Sequence, residues 1–167
     1  MAIETNLTNK TAIITGSARG IGKTIAKRFI SEGANVILAD INEVALAKTA
    51  KELDPTNKKV AFIKTNVTKE RDVEAMLDVA LKKFNKLDIM VNNAAIAVNQ
   101  LIENQSLNEW NKIIEVNLTG CFICCKLAAN IMKKNKSSNI INISSISGQK
   151  GSIGRSAYGV SKAGIIQ

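Results

Sequence analysis

Histidine is absent from the 167 residues of this chain. Its absence excludes hydrolysis by a Ser-His-Asp triad, zinc sites that depend on histidine ligands, and the H-E-x-x-H metalloprotease motif. Proline occurs once, at Pro55, so long regular elements can run without interruption. The three cysteines, Cys121, Cys124 and Cys125, share one apolar segment with no second cluster. We therefore expect reduced, buried helix residues rather than a redox centre, and no metal site.

Aromatic residues are also scarce, at 4%, while apolar residues reach 46% and charged residues 22%. These proportions are typical of a globular protein with one core and exclude global disorder. No run of 18 consecutive apolar residues occurs, and the first residues lack the basic-then-apolar order of a signal peptide. The sequence therefore predicts a soluble, cytoplasmic protein with no membrane partner.

Positive charge is in excess, with 23 Lys and Arg against 14 Asp and Glu, a net charge of +9. Such an excess can indicate a nucleic-acid partner. The lysines, however, fall at the ends of predicted elements, with few aromatic side chains between them to stack on bases. We interpret them as solvated residues near helix ends and predict no nucleic-acid partner. A basic nucleic-acid-binding module is the alternative.

Short apolar runs alternate with longer helical patterns, which is typical of βαβ units with parallel strands. Five strands are predicted, at Thr11–Thr15, Asn35–Ala39, Val60–Lys64, Leu87–Val91 and Asn139–Ile143. Helical periodicity follows the first and third strands, and the segment from about Ser106 to Asn135 is one long helix or two joined ones. The prediction is an α/β fold, a doubly wound parallel sheet of the Rossmann type, in a single domain over residues 1–167, with helices on both faces.

A glycine-rich turn, T-G-S-A-R-G-I-G from Thr15 to Gly22, follows the first strand and opens a helix. This context directs backbone N–H groups and the positive end of a helix dipole at one point, where a pyrophosphate can bind. Asp40 ends the second strand 24 positions after Gly16, near where a carboxylate meets the ribose hydroxyls of NAD. Its charge favours NAD. Arg19 could pair with the extra phosphate of NADP, and a solvated loop carboxylate is the alternative for Asp40.

Tyr158 and Lys162 are four residues apart, which places them on one face of a helix. A neighbouring ammonium stabilises a phenolate, so this tyrosine can exchange a proton with an alcohol or a carbonyl near neutral pH. Ser145 follows the fifth strand, where its hydroxyl can donate to a substrate oxygen or simply cap the next turn.

Together these motifs make the chain similar to the short-chain dehydrogenase/reductase family over about residues 7–167. Five motifs of the family occur in order: the glycine turn, N-N-A-A at Asn92 to Ala95 in place of the family's N-N-A-G, N-x-x-G at Asn117 to Gly120, Ser145, and Y-x-x-x-K at Tyr158. The resemblance implies NAD or NADP as cofactor, and it is nearest to 3-oxoacyl carrier-protein reductases and polyol dehydrogenases. The expected catalytic residues are Asn117, Ser145, Tyr158 and Lys162. The expected cofactor-binding residues are Gly16, Ser17, Arg19, Gly20, Ile21, Gly22, Asp40, Asn66, Val67, Asn93, Ala94, Tyr158 and Lys162.

The resemblance also implies roles and departures. Asn117 would support Lys162 through water, or it could be a helix residue bonded to backbone. Asn66 stands where an aspartate usually holds the adenine, and its amide oxygen could accept that hydrogen bond. Family members continue beyond the position of Gln167, so we expect missing C-terminal strands, an exposed fifth strand and weak or no activity from the chain alone. Full-length members are homo-oligomers acting on small alcohols or ketones; a non-catalytic nucleotide-binding remnant is the alternative.

Overall fold

A parallel sheet of five strands forms the centre of the computed structural model, which describes residues 6–134 and 137–167. The strands are β1 (Thr11–Thr15), β2 (Asn35–Asp40), β3 (Val60–Lys64), β4 (Ile89–Asn92) and β5 (Asn139–Asn142). The predicted α/β fold with a parallel sheet is confirmed. β4 begins two residues later than predicted, although the Asp88 N–H still donates to the Thr11 carbonyl at 2.9 Å. The Asp88 carboxylate in turn accepts the Thr11 N–H at 2.8 Å.

The strand order is β3-β2-β1-β4-β5, so the chain winds outward from β1 in one direction and then in the other. The loops that follow β1 and β4 therefore leave the sheet on opposite sides. In open α/β sheets, this switch point at the carboxyl ends of the strands is where ligands bind. β5 lies at one edge, and three of its four residues are exposed, as the sequence predicts.

Six helices surround the sheet in the described chain. They are α1 (Gly20–Ser31), α2 (Glu43–Leu53), α3 (Glu70–Phe84), α4 (Leu107–Ile114), α5 (Gly120–Met132) and α6 (Ser156–Ile166). One face of the sheet packs against α3 and α5, in a core that includes Ile13 and Met76. The other face packs against α1 and α2, in a core that includes Ile14 and Leu46. Both faces are thus covered, as predicted from strands that lack polar alternation.

α4 and α5 form one continuous helix through a π-helical turn at Glu115–Thr119. A capping box between Ser106 and Glu109 begins it, and Met132 ends it; the predicted end at Asn135 lies outside the described residues. By length and composition this helix could cross a membrane, and a third of its most apolar window is buried. A helix that packs on a sheet has the same composition, and α5 does pack on the sheet through Ile123.

The cysteines of α5 differ in their surroundings. Cys124 is buried, as predicted, but Cys121 and Cys125 are partly exposed, so the prediction of three buried thiols is wrong for two of them. Both lie beside Asn142 of β5. Because β5 is an edge strand, the helix face above it is only partly covered.

Candidate active site

The glycine turn packs tightly against the loop that follows β4. Gly16 has a positive φ of 65°, and a Cβ there would lie 2.8 Å from the Cα of Ala94. A Cβ on Gly22 would collide with the Gly16 carbonyl and lie 2.6 Å from the Asn93 amide nitrogen. Gly20 also has a positive φ, yet no atom lies within 4 Å of its Cβ position. The turn therefore packs against protein atoms at Gly16 and Gly22 and leaves open space beside Gly20.

Thr15 and Asn93 hold the two loops together. The Thr15 hydroxyl oxygen accepts the backbone N–H groups of Asn93 at 3.0 Å and Ala94 at 3.1 Å. In return, the Asn93 amide donates to the carbonyls of Thr15 at 2.9 Å and Gly16 at 3.1 Å. The structure thus gives the Asn93 side chain a positioning role. It gives the same role to Thr15, which the sequence analysis named as the first residue of the glycine turn without assigning it a function.

The N-terminus of α1 faces open space at the same point. Its N-cap residue, Arg19, makes no side-chain capping hydrogen bond, and the first turn of α1 contains no acidic residue. The N–H groups of the first turn and the helix dipole therefore favour an anion beside Gly20 and Ile21. Ser17 is fully buried and fixes the turn to β2, since its hydroxyl accepts the Ala39 N–H at 2.9 Å.

Asp40 connects the end of β2 to the glycine turn. One carboxylate oxygen accepts the Ala18 N–H at 3.1 Å, and the other accepts the Asn42 N–H at 3.0 Å. The side chain is thus fixed rather than freely solvated. Each carboxylate oxygen has a further acceptor site, so Asp40 can still accept hydrogen bonds from a pair of hydroxyl groups.

Asn66 and Val67 follow β3 on the same rim. The amide oxygen of Asn66 accepts two hydrogen bonds from Thr68, at 3.1 Å from its N–H and 2.9 Å from its hydroxyl. This turn occupies the oxygen that the sequence analysis assigned to the adenine, so a base would compete with Thr68 for it. Val67 packs against Gly120 so closely that a Cβ on Gly120 would lie 2.7 Å from a Val67 methyl group.

Tyr158 and Lys162 are adjacent on α6, as the spacing predicts. The Lys162 Nζ lies 5.9 Å from the centroid of the Tyr158 ring. Lys162 is 3% exposed and donates to the Ile143 carbonyl at 2.6 Å. Burial lowers the pKa of Lys162. A second cation, Arg155, lies 5.4 Å from the same ring centroid. Sequence reasoning missed Arg155, although its position three residues before the tyrosine, at the N-cap of α6, was a usable signal.

Ser145 and Ser144, which follow β5, make different hydrogen bonds. The Ser145 hydroxyl oxygen accepts the Ser147 N–H at 3.2 Å and caps a short 3-10 turn at Ile146–Gly148. Because this bond uses Ser145 as an acceptor, its hydroxyl proton can still be donated. Ser144 donates its hydroxyl to the Lys162 carbonyl at 2.8 Å and so joins β5 to α6.

Asn117 lies in the π-helical turn and is 1% exposed. Its amide oxygen accepts the Ile96 N–H at 2.8 Å, and its amide nitrogen donates to the Ile96 carbonyl at 2.9 Å and the Ser161 hydroxyl at 3.1 Å. These bonds match the alternative expected for Asn117, a helix residue bonded to backbone. A cavity of about 10 Å³ touches both Asn117 and Lys162, which is room for about one water molecule.

A cleft of about 610 Å³ connects the glycine turn with Tyr158 and Lys162, and its volume is within the ~300–1,000 Å³ typical of small-molecule sites. Of the predicted residues, it is lined by Gly16, Arg19, Gly20, Ile21, Asp40, Asn66, Val67, Asn93, Ala94, Tyr158 and Lys162. Ser17, Gly22, Asn117 and Ser145 are not in its lining. The cleft is also lined by apolar residues that the sequence did not single out as site residues, including Ile96, Val116 and Ile143.

The cleft lies at the switch point of a parallel sheet, with a glycine turn at one end and a tyrosine–lysine pair at the other. This arrangement is typical of a Rossmann-type protein with a dehydrogenase-like site. The family model for "short chain dehydrogenase" matches residues 10–167, so the chain belongs to the short-chain dehydrogenase family.

Relatives support this membership. The chain is 42% identical over 161 residues to the 3-oxoacyl-[acyl-carrier-protein] reductase FabG of Chlamydia muridarum, covering 96% of this chain and 65% of that protein. It is 40% identical over 163 residues to glucose 1-dehydrogenase 2 of Bacillus subtilis, covering 96% and 63%. The chain thus spans slightly less than two thirds of the length of these relatives.

Solved structures agree with the fold. A short chain dehydrogenase/reductase from Burkholderia phymatum, solved in complex with NAD, superposes with a TM-score of 0.92 at 29% identity, covering 97% of this chain and 58% of that one. A short chain dehydrogenase from Mycobacterium smegmatis gives a TM-score of 0.91 at 28% identity, covering 96% and 68%.

Proposed function

We propose that the cleft binds a nicotinamide dinucleotide and that the site belongs to an oxidoreductase that transfers a hydride reversibly between this cofactor and an alcohol or ketone. The observation that carries the proposal is the continuity of the cleft from the anion-attracting turn at Gly20, past the Asp40 carboxylate, to Tyr158 and Lys162. The open Cβ position at Gly20 is where a diphosphate fits against backbone N–H groups.

Asp40 supports NAD over NADP. Both of its oxygens are oriented by backbone N–H groups, so the carboxylate would meet the ribose hydroxyls and repel a 2′-phosphate. Arg19, in the same lining, is the group that would accommodate NADP. Adenine binding would rest on contacts at Asn66 and Val67, where the Asn66 amide nitrogen rather than its oxygen is the available group.

Tyr158 is the proposed proton donor and acceptor. The bound nicotinamide supplies or accepts the hydride. The Arg155 guanidinium and the Lys162 ammonium lie 5.4 Å and 5.9 Å from the centroid of the Tyr158 ring, so two cations flank the side chain that would pass its proton to a ketone oxygen. Ser145 has its hydroxyl proton available to donate to that oxygen. We propose that Asn117 keeps the π turn in register with α6 and that water in the adjoining cavity reaches Lys162.

The proposed substrate class is supported by the relatives. A 3-oxoacyl thioester or a polyol-like alcohol is proposed, because relatives at about 40% identity are a 3-oxoacyl reductase and a glucose dehydrogenase. A cytoplasmic homo-oligomer is part of the same proposal for the full-length protein.

Nucleotide binding without turnover is the second candidate for the chain alone. It is favoured by Ser145, which caps a turn and is not among the residues lining the cleft.

The test measures the absorbance of reduced cofactor with NADH and a 3-oxoacyl thioester, and with NAD and secondary alcohols. Turnover that falls by about 10²- to 10⁴-fold in Tyr158→Phe, with dinucleotide binding retained, supports the oxidoreductase. Ser145→Ala should also reduce turnover, whereas Ser147→Ala, two residues away, serves as the matched control. Binding without turnover in the unmodified chain supports the second candidate instead.

A further inference from the structure

The cleft continues past Asp40 over the carboxyl ends of β2 and β3. With the nicotinamide at Tyr158 and the diphosphate at the glycine turn after β1, the second nucleotide of the cofactor must extend in this direction, because β2 and β3 lie on the opposite side of β1 from β4 and β5. Ile21 and Ile41 line the cleft and are 65% and 63% exposed, so two apolar side chains are available to a flat ring. The purine base of the dinucleotide would therefore meet Asn66, which follows β3.

Four hydrogen bonds fix Asn66. Its backbone N–H donates to the Asp72 carboxylate at 2.9 Å, and its backbone carbonyl accepts the Lys69 N–H at 3.0 Å. The N–H and the hydroxyl of Thr68 occupy both lone pairs of its amide oxygen. The amide nitrogen donates to no protein group in the described part of the chain. Asn66 therefore offers its side chain to a ligand as a hydrogen-bond donor and not as an acceptor.

The side chains next to Asn66 do not supply an acceptor in its place. Thr65 is 3% exposed, and its hydroxyl donates back to the Ile63 carbonyl at 3.2 Å. Val67 has an apolar side chain, and its backbone N–H has no backbone acceptor among the residues that the structure describes. A base at this end of the cleft therefore meets hydrogen-bond donors from two adjacent residues.

Building on the proposed function, we propose that Asn66 determines the base selectivity of the cleft, and that the cleft accepts a 6-oxopurine at least as well as adenine. Adenine presents its 6-amino group, a donor, beside the acceptor N7, whereas a 6-oxopurine presents two acceptors, O6 and N7. The donors of Asn66 and Val67 match the second pattern. With adenine, the 6-amino group faces the Asn66 amide nitrogen, and neither donor gains an acceptor from the other.

Isothermal titration calorimetry compares NAD with its hypoxanthine analogue, in which a 6-oxo group replaces the 6-amino group of the base. The unmodified chain should bind the analogue as tightly as NAD or more tightly. Asn66→Asp keeps one oxygen for Thr68 and offers the other to the base, so this variant should favour NAD by about 10-fold or more, because hydrogen bonds to charged groups are stronger than neutral ones.

A second variant changes the available oxygen while Asn66 stays in place. Thr68→Val removes the hydroxyl that occupies one lone pair of the Asn66 oxygen, so that lone pair can accept from the 6-amino group. The ratio of the two Kd values should then shift towards NAD. Thr56→Val is the matched control, because Thr56 makes the same pair of hydrogen bonds to Asp54 and neither residue lines the cleft. This control should leave the ratio unchanged.

The outcomes separate base selectivity from the proposed function. Binding of NAD about 10-fold more tightly than the analogue by the unmodified chain would overturn the role of Asn66 and leave the proposed function standing. An equal ratio of Kd values in Asn66→Asp and the unmodified chain would also overturn it. Heat with neither dinucleotide, from folded protein, would overturn both. In NMR spectra, the side-chain NH₂ signals of Asn66, identified by their loss in Asn66→Asp, should move more with the analogue than with NAD.

Discussion

Replacing Thr15 by valine removes one hydroxyl group from the junction between β1 and the loop after β4. The side chain is 2% exposed, and its oxygen accepts two backbone N–H groups and donates to the Val91 carbonyl at 3.3 Å. Valine has nearly the same shape, so the change removes the hydrogen bonds and little else. Thr11, on the same strand and 0% exposed, has a hydroxyl with no hydrogen-bond partner and is the matched control.

The two substitutions are expected to change the free energy of unfolding differently. A buried donor left without a partner costs about 1–3 kcal/mol, and Thr15→Val leaves two. The Asn93 and Ala94 amides are only partly buried, so water recovers part of this, and we expect a loss of ~2–3 kcal/mol in the free energy of unfolding. Thr11→Val replaces an unbonded buried hydroxyl by a methyl group, so it should be neutral or stabilising by up to about 1 kcal/mol.

Urea denaturation followed by circular dichroism measures both variants under one set of conditions. Because the Thr15 hydroxyl also positions the loop that carries Asn93, Thr15→Val should weaken dinucleotide binding as well, and Thr11→Val should not. Equal losses of stability in the two variants would refute the reasoning, since the hydrogen bonds of Thr15 would then contribute nothing measurable to the free energy of unfolding.

Two further predictions concern charge and packing. Burial opposes the ionisation of Asp54, but hydrogen bonds from a hydroxyl and three backbone N–H groups hold its pKa at about 2. The ionised Asp54 therefore stabilises the folded protein fully above pH ~4, and this stabilisation is lost as the pH falls towards 2. Urea titrations from pH 2 to 7 should show Asp54→Asn losing about 2 kcal/mol at pH 7 and almost none at pH 2, with the exposed Asp78→Asn nearly unchanged. Gly22→Ala places a methyl group 2.6 Å from Asn93 and should cost ~1–3 kcal/mol and weaken NAD binding, whereas Gly151→Ala, in open space, should change neither in calorimetry. A tight-binding Gly22→Ala, or an Asp54→Asn with an unchanged acid profile, would contradict these two arguments.

The positions of the site residues along the fold were predictable because strand order brings them together. In a parallel sheet, the carboxyl ends of all strands lie along one edge, so a glycine turn after β1, Asp40 at the end of β2 and Asn93 after β4 must lie close to one another. The i, i+4 spacing of Tyr158 and Lys162 likewise determines their adjacency on α6. These relations depend on the backbone alone, which the hydrophobic pattern specifies.

Local hydrogen bonding was not predictable in the same way. The turn after β3 uses the Asn66 oxygen internally, and the sequence cannot show whether Thr68 or a ligand takes it. Each of the adjacent serines, Ser144 and Ser145, could cap a turn, connect β5 to α6 or face the cleft. The path of the chain between β5 and α6 determines which of these each serine does. The exposure of Cys121 and Cys125 depends on α5 lying over an edge strand, a tertiary property that helical periodicity does not contain.

Isothermal titration calorimetry of the folded chain with NAD and with NADP tests the central claim most directly, because the claim is that the cleft along Gly20, Asp40 and Tyr158 holds a nicotinamide dinucleotide. We predict a saturable heat with one site for NAD and weaker binding of NADP, whose extra phosphate would approach the Asp40 carboxylate. The absence of heat with both dinucleotides, from protein that circular dichroism shows to be folded, would contradict the account.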